Sequence, residues 1–317
     1  TILVSTVLCF AARMAQEKYG FPLVTVVLQP SLFASAIEPP VLHPTLILKK
    51  WIPLGLRQGI VNLLHKTMMD GKFLPWFNEL RDEKGLPPAS RIMQRWIYSP
   101  EKVICLFPDW FAPVESDWPA NSINTDFLQW DRGVEDDHFA EAKMFIEAGK
   151  KTVLFTPGSE MLQGGKFFEE SMKAVTALGI QAIFVTKQED QLPGNLPSNI
   201  KAFPYLSFSK VFPLVDVVVF HGGVGTLAKS FRAGVPQLIM PMAFDQPDNA
   251  FRAKRLGTGD FLVTRKFVVK NIATKLHQLM TDASVKENCA RIKEMSLTLK
   301  GEENSLNILA SLADSKR

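Results

Sequence analysis

The stretch from Phe203 to Gly259 restricts the fold of this chain more than any other. Val215 to Phe220, β-branched or aromatic at every position but Asp216, has the length and composition of one buried parallel strand. It runs directly into His221-Gly222-Gly223-Val224-Gly225-Thr226. Glycines in such a turn admit a positive φ and let a ligand approach the bare backbone. Thr226 is predicted to open a helix that reaches about Ala233, where Gly234 caps it and Pro236 stops it. A strand, a glycine turn and a helix N-terminus aim free N–H groups and a positive dipole end at an anion. The expected guest is phosphate or diphosphate. A glycine turn after a strand is also an ordinary structural device, so neighbouring sequence has to carry part of the weight.

It does so on both sides. Leu238 to Met240 reads as a further short strand, with Asp245 and Gln246 at its exit and Asp248 and Asn249 at a helix start. In an open α/β sheet, ligands bind outside the carboxyl ends of the strands. Two successive strands therefore bring a diphosphate cradle and an acid–amide pair to one rim. A carboxylate beside a carboxamide accepts from and donates to vicinal hydroxyls, as a sugar requires. Upstream, the strand Thr152 to Phe155 ends in a second glycine loop, Thr156 to Gly165. There Gly158, Ser159 and the neighbouring amides would meet a phosphate from the other side of the crevice.

These residues resemble the signature of the family 1 glycosyltransferases, which use nucleotide-activated sugars. That signature, H-x-G-x-x-[ST], then G-V-P, then P-x-x-x-D-Q, falls here on His221–Thr226, Gly234-Val235-Pro236 and Pro241–Gln246. The flavour is bacterial, similar to the rhamnosyltransferases and the sterol and macrolide glucosyltransferases. The resemblance implies an α/β fold of the GT-B type, two Rossmann-like domains facing a cleft. Residues 1–126 would be an acceptor-side domain with its linker, incomplete at its N-terminus. Residues 127–317 would bind the nucleotide sugar, with the last helix crossing back. The implied reaction is inverting transfer of a hexose from a UDP or dTDP sugar to a hydroxyl of a small hydrophobic or lipid acceptor. Gly222, Gly223, Val224, Gly225 and Thr226 would hold the diphosphate with His221, and Asp245 and Gln246 the sugar. No metal and no cofactor beyond the donor is implied.

The resemblance also marks departures. The segment Ala202-Phe203-Pro204-Tyr205 aligns with the family's base-binding W-x-P-Q. Phe203 falls where the backbone pairs with the base edge, while the stacking aromatic becomes Ala202 and Tyr205 replaces the Gln. Lys229 stands where plant relatives have Glu. The family's general base would precede Thr1, and its acidic partner would fall near Ser5-Thr6, where neither residue is acidic. No catalytic residue is therefore assigned within this chain.

Composition bounds the alternatives. A length of 317 residues accommodates two domains with separate cores, and a formal charge of +4 suits an anionic ligand without demanding one. No Lys/Arg run with interleaved aromatics suggests a nucleic-acid groove. Cys9, Cys105 and Cys289 form no C-x-x-C, which points to reduced thiols and a cytoplasmic protein. No apolar run spans a membrane, and the opening TILVSTVLCFAA lacks a basic region and a cleavage site.

Along the chain, Ile2 to Val7, Phe10 to Tyr19 and Leu23 to Leu28 read as a βαβ unit. Gln29 to Pro53 reads as a partly packed loop. Leu54 to Met69 and Phe73 to Lys84 read as amphipathic helices. Trp51, Leu54, Leu56, Leu63, Leu64, Met68, Phe73, Trp76 and Phe77, beside Lys49, Lys50, Arg57 and Lys66, would serve as core, as a lipid-acceptor lining or as a peripheral membrane contact at the inner face. Val103 to Phe107 reads as a strand, Pro108 to Trp130 as the interdomain connection and Pro193 to Lys201 as a surface loop. Three helices are expected at the end, near Lys270 to Met280, Ser284 to Leu299 and Glu303 to Ala313. Two other functions stay open: a non-catalytic nucleotide-sugar binder, and a GT-B nucleotide-sugar 2-epimerase. A dehydrogenase does not fit, because GG-x-G lacks the dinucleotide spacing.

Overall fold

The computed structural model describes residues 1–43, 47–128, 138–148, 151–158, 164–298 and 300–314. The chain divides into two compact units, Thr1–Leu128 with Lys300–Arg317, and Gln129–Leu299. The first contains β1 (Leu3–Thr6), α1 (Phe10–Tyr19), β2 (Leu23–Val27), α2 (Leu54–Leu64), α3 (Gly71–Glu83), β3 (Lys102–Cys105) and β4 (Ser122–Asn124). Its strands pair in parallel in the order β1-β2-β3-β4.

Two features of this unit differ from the sequence reading. The helices α2 and α3 are joined by a π-helical turn, His65–Asp70, instead of a break. Thr67 Oγ1 donates to the carbonyls of Leu63 and Leu64, at 2.8 and 3.5 Å, which competes with the helical ladder. Pro75, inside α3, lacks the N–H that would bond Gly71. The ladder is thus weakened on both flanks of the turn and opens without breaking. Second, the Pro-rich stretch expected as a connection contains β4, an edge strand registered Val103↔Ser122. Three residues are too few to show an alternating pattern.

The second unit contains α4 (Phe139–Glu147), β5 (Thr152–Thr156), α5 (Gly165–Leu178), β6 (Gln181–Val185), β7 (Ile200–Phe203), α6 (Phe208–Val211), β8 (Val217–Phe220), α7 (Val224–Ala233), β9 (Gln237–Ile239), α8 (Gln246–Arg255), β10 (Gly259–Phe261), α9 (Val269–Thr281) and α10 (Ala283–Leu297). Its sheet is parallel, in the order β10-β9-β8-β5-β6-β7. Every residue of β5, β6, β8 and β9 is buried, as helices on both faces of a parallel sheet require. Phe155, Phe168 and Phe184 are wholly buried between the sheet and α5, each contributing about 1.5–3 kcal/mol on burial. Asp216 precedes β8 and closes the amino end of the sheet: its carboxylate accepts from the Thr152 amide at 2.9 Å and from Lys151 Nζ at 2.6 Å. The short edge strands β7 and β10 are not expected from sequence, because neither is long enough to show a period.

The final helix, α11 (Gly301–Asp314), belongs to the first unit, where Ile308, Leu309 and Leu312 pack against Val24 and Ile104. A Cβ on Gly301 would lie 2.5 Å from that of Asp126. No described helix is long and apolar enough to cross a membrane.

Candidate functional site

The second sheet is laid down from the middle outward. The chain goes from β5 to β6 to β7, then returns to place β8 on the other flank of β5. The carboxyl ends of β5 and β8, where Thr156 pairs with Phe220, are therefore the topological switch point. A cavity of about 480 Å³ opens there. Its wall takes Thr156 and Gly158 from the end of β5, Thr186 to Gln188 from the end of β6, and Pro204 and Tyr205 from the end of β7. His221, Gly223, Val224, Gly225 and Thr226 complete it from the end of β8, with Lys229 one helical turn on.

The glycines make the close approach possible. Gly158 has φ +95°, and a Cβ there would lie 2.6 Å from His221 Cε1. A Cβ on Gly223 would lie 2.5 Å from His221 Nε2. The imidazole thus fills the space that side chains on these two residues would need. Gly222, at φ +101°, lies equally tight against the exit of β9, where its Cβ would meet Ile239 Cγ2 at 2.8 Å.

Helix α7 begins at Val224, two residues before the Thr226 expected from sequence. Gly223 is its N-cap in extended conformation, a backbone that glycine supplies as readily as the Ser or Asp usually sought there. The first helical bond runs from Leu227 N to Gly223 O, at 3.0 Å. The amides of Val224, Gly225 and Thr226 therefore belong to the helix's open first turn, where an anion is favoured. Gly234, at φ +72°, closes the other end.

Behind the glycine turn stands α8, with Asp245 as its N-cap residue. Asn249, wholly buried, donates through Nδ2 to Gly222 O at 2.9 Å and to Asp245 Oδ2 at 2.7 Å. One carboxamide so ties the diphosphate turn to the acid. Gln246 Oε1 accepts from the amides of Met242 and Ala243, at 2.8 and 3.2 Å, which leaves its Nε2 as a donor. Burial pushes the Asp245 carboxyl above its ordinary range, opposed by hydrogen bonds from its own backbone, from Asn249 and from the Val224 amide. Burial lowers the pKa of His221 below 6.5, so the ring is neutral at pH 7. Its Nδ1 is buried with no partner among the described residues.

The structure therefore gathers Gly158, His221, Gly223, Val224, Gly225 and Thr226 around one cavity. Gly222, Asp245 and Gln246 form the layer that holds the turn. Phe203 ends β7 with its ring buried and its carbonyl accepting from Thr186 N at 3.1 Å. Ser159 lies outside the described residues. Sequence reading does not find Thr186, Lys187 and Gln188, although their place just after a buried strand is a usable signal. Nor does it find the tie made by Asn249, which no motif announces. Among the described residues no three His, Cys, Asp or Glu side chains gather as metal ligands.

Residues 169–301 match the family model described as "Erythromycin biosynthesis protein CIII-like, C-terminal domain". This segment is thus similar to an EryCIII-like C-terminal domain. It holds β6 to β10 and the whole of the β8 turn. The chain is also similar to the O-mycaminosyltylonolide 6-deoxyallosyltransferase of Streptomyces fradiae, 28% identical over 244 residues. That match takes in 75% of this chain and 56% of the relative, so it spans little more than half of the relative's length. Among solved structures, the glycotransferase of kitacinnamycin superposes over 98% of this chain and 75% of its own, with TM-score 0.74 at 19% identity. The glycosyltransferase VinC in complex with DTDP superposes over 99% of this chain and 72% of its own, with TM-score 0.69 at 19% identity. The fold, α/β with parallel sheets, matches those GT-B glycosyltransferase structures.

Proposed function

We propose that this chain carries the donor half of a family 1 glycosyltransferase. It would bind a UDP or dTDP hexose and transfer the sugar, with inversion, to a hydroxyl of a hydrophobic acceptor. The observation that carries the reading is the switch-point cavity, which His221 and the first-turn residues Val224, Gly225 and Thr226 of α7 line together. As the glycosidic bond breaks, charge accumulates on the leaving diphosphate. Fixed N–H donors placed where that charge grows lower the barrier. Asp245 and Gln246 would grip the sugar hydroxyls, Phe203 would border the base, and Ser159 would close over the phosphates. The relatives named above are glycosyltransferases, and one was solved with DTDP, which favours thymidine over uridine here.

The acceptor's hydrophobic character is supported by an exposed apolar row in the first unit. Trp51 is 82% exposed and Leu56, Leu63 and Trp76 more than half, with Lys66 and Lys72 exposed along the same helical run and Lys50 in the turn ahead of it. Such a row suits a greasy acceptor or the cytoplasmic surface of a membrane. Acceptor deprotonation is assigned to none of the described residues.

Calorimetry with TDP, UDP and their hexose conjugates tests the reading. At 100 times its Kd, a bound nucleotide should raise stability by about 2.7 kcal/mol. Asp245→Ala should remove most of the extra affinity of the conjugate over the free nucleotide. Equal loss for both removes the sugar role of Asp245, and absence of binding by either nucleotide removes the proposed function.

A further inference from the structure

A second cavity, of about 700 Å³, lies in the first unit. Ser99 and Pro100 line it just ahead of β3, and Asn121 immediately ahead of β4. It therefore opens at the amino ends of that sheet, the rim opposite to the one where α/β sheets bind substrates. Three arginines line it, Arg13 from α1, and Arg91 and Arg95 from the turn that leads to β3. The carboxylate in the wall, Asp117, is already engaged by Ser35 Oγ at 2.8 Å and by the amides of Ala36 and Ile37 at 2.7 and 3.2 Å.

Arg91 and Arg95 make no ion pair among the described residues, whereas Arg13 pairs with Glu17 at 3.2 Å. Arg91 Nε donates to Gln94 Oε1 at 3.2 Å. Gln94 Nε2 donates to Asn62 Oδ1 at 2.9 Å, which also receives Gln58 Nε2 at 3.3 Å. This chain of amides orients the Arg91 guanidinium and leaves its two terminal nitrogens without partners among the described residues. The Arg95 guanidinium makes no hydrogen bond among them. Arg91 is also held at φ +51°, in a region that residues with a side chain rarely occupy. Arg13 shares Glu17 with Arg81, and the carboxylate of Glu101 accepts from Leu23 N at 2.6 Å. Two exposed guanidiniums in one wall repel each other unless an anion joins them. A phosphoryl group, with three oxygens, accepts from both forks at once.

We propose that this cavity binds a phosphoryl group, held by Arg91 and Arg95, with Arg13 and Asn62 contacting the remainder of the molecule. Free phosphate and a soluble phosphate ester share that chemistry. The test is calorimetric titration of the chain, first saturated with TDP, with inorganic phosphate and separately with glycerol phosphate. One anion should bind per chain, and Arg91→Gln and Arg95→Gln should each weaken it roughly tenfold. TDP affinity should be unchanged in both variants. Tighter binding of glycerol phosphate assigns the site to an ester, and binding of phosphate alone assigns it to the free ion. Arg91→Lys with Arg95→Lys keeps the charge but removes the forks, and serves should the Gln variants not fold; it should also weaken binding. No millimolar binding of either anion overturns the proposal. So does binding that survives the arginine substitutions, or binding that is lost in His221→Ala instead.

Discussion

The imidazole of His221 lies directly over the Cα of Gly158: a Cβ built on that glycine would sit 2.6 Å from the ring. The two residues leave different strands, β5 and β8, and each fixes what the other can be. Gly158→Ala should therefore displace the ring and force an alanine to φ +95°. The expected cost is about 1–3 kcal/mol of stability, with weaker nucleotide binding beyond it. Denaturant unfolding and TDP titration of the variant check both. Unchanged binding would mean that the ring position is irrelevant to the ligand.

The depressed pKa of His221 sets a pH dependence. In the unfolded chain the ring takes a proton near pH 6.5, while the folded chain resists it. Stability from this residue is present above pH 6.5 and is lost as pH falls through the lower folded value. Bound diphosphate should reverse the trend, because an anion beside the ring favours the proton. Nucleotide binding should take up a proton between pH 6 and 7, measured as a buffer-dependent heat, and His221→Gln should abolish the uptake.

The raised pKa of Asp245 acts in the other direction. Its contribution is full below 3.8 and is lost as pH rises through the elevated folded value. Asp245→Asn should stabilise the free protein at pH 7 and flatten the slope of Tm between pH 4 and 7. A destabilised variant with an unchanged slope would contradict the burial penalty.

Asn249 is the tie between the turn and the acid. Asn249→Ala removes the donor to Gly222 O and should cost about 1–3 kcal/mol, read by denaturant unfolding. Asn249→Asp places a second carboxylate against Asp245 and should lose more at pH 7 than at pH 5. A pH-independent loss would point to packing alone.

In the first unit, Arg81 is 1% exposed and its guanidinium reaches Glu17 at 2.7 Å and Pro87 O at 2.7 and 2.8 Å. Arg81→Met leaves Glu17 short of a partner and Pro87 O unbonded. The expected loss is about 3–5 kcal/mol, seen as a lower urea midpoint.

The diphosphate turn is legible in the sequence because its features are local. Glycine at Gly222 and Gly234 answers a backbone need that no other residue meets at low cost. The apolar runs of β5, β6 and β8 are legible because burial on both faces leaves no alternation to misread. The edge strands β4, β7 and β10 are not, since three or four residues with one open side carry no period. The start of α7 reads two residues late because Thr226 offers a capping hydroxyl, whereas the cap is Gly223. Asn249 is invisible as a tie because its partner Gly222 lies in a turn 27 residues away.

The residues on either side of the switch point are far apart in sequence: Thr152, which opens β5, and Asp216, which immediately precedes β8, are separated by 64 positions. A nascent chain that has emerged only through β7 therefore has no nucleotide crevice. Such long-range pairing forms late, after the loop entropy of the intervening segment has been overcome. Nucleotide added during refolding should leave the early phases untouched and slow only the release of β8. Its imprint would then be found in hydrogen exchange, as joint protection of amides in Val153–Thr156 and Val217–Phe220.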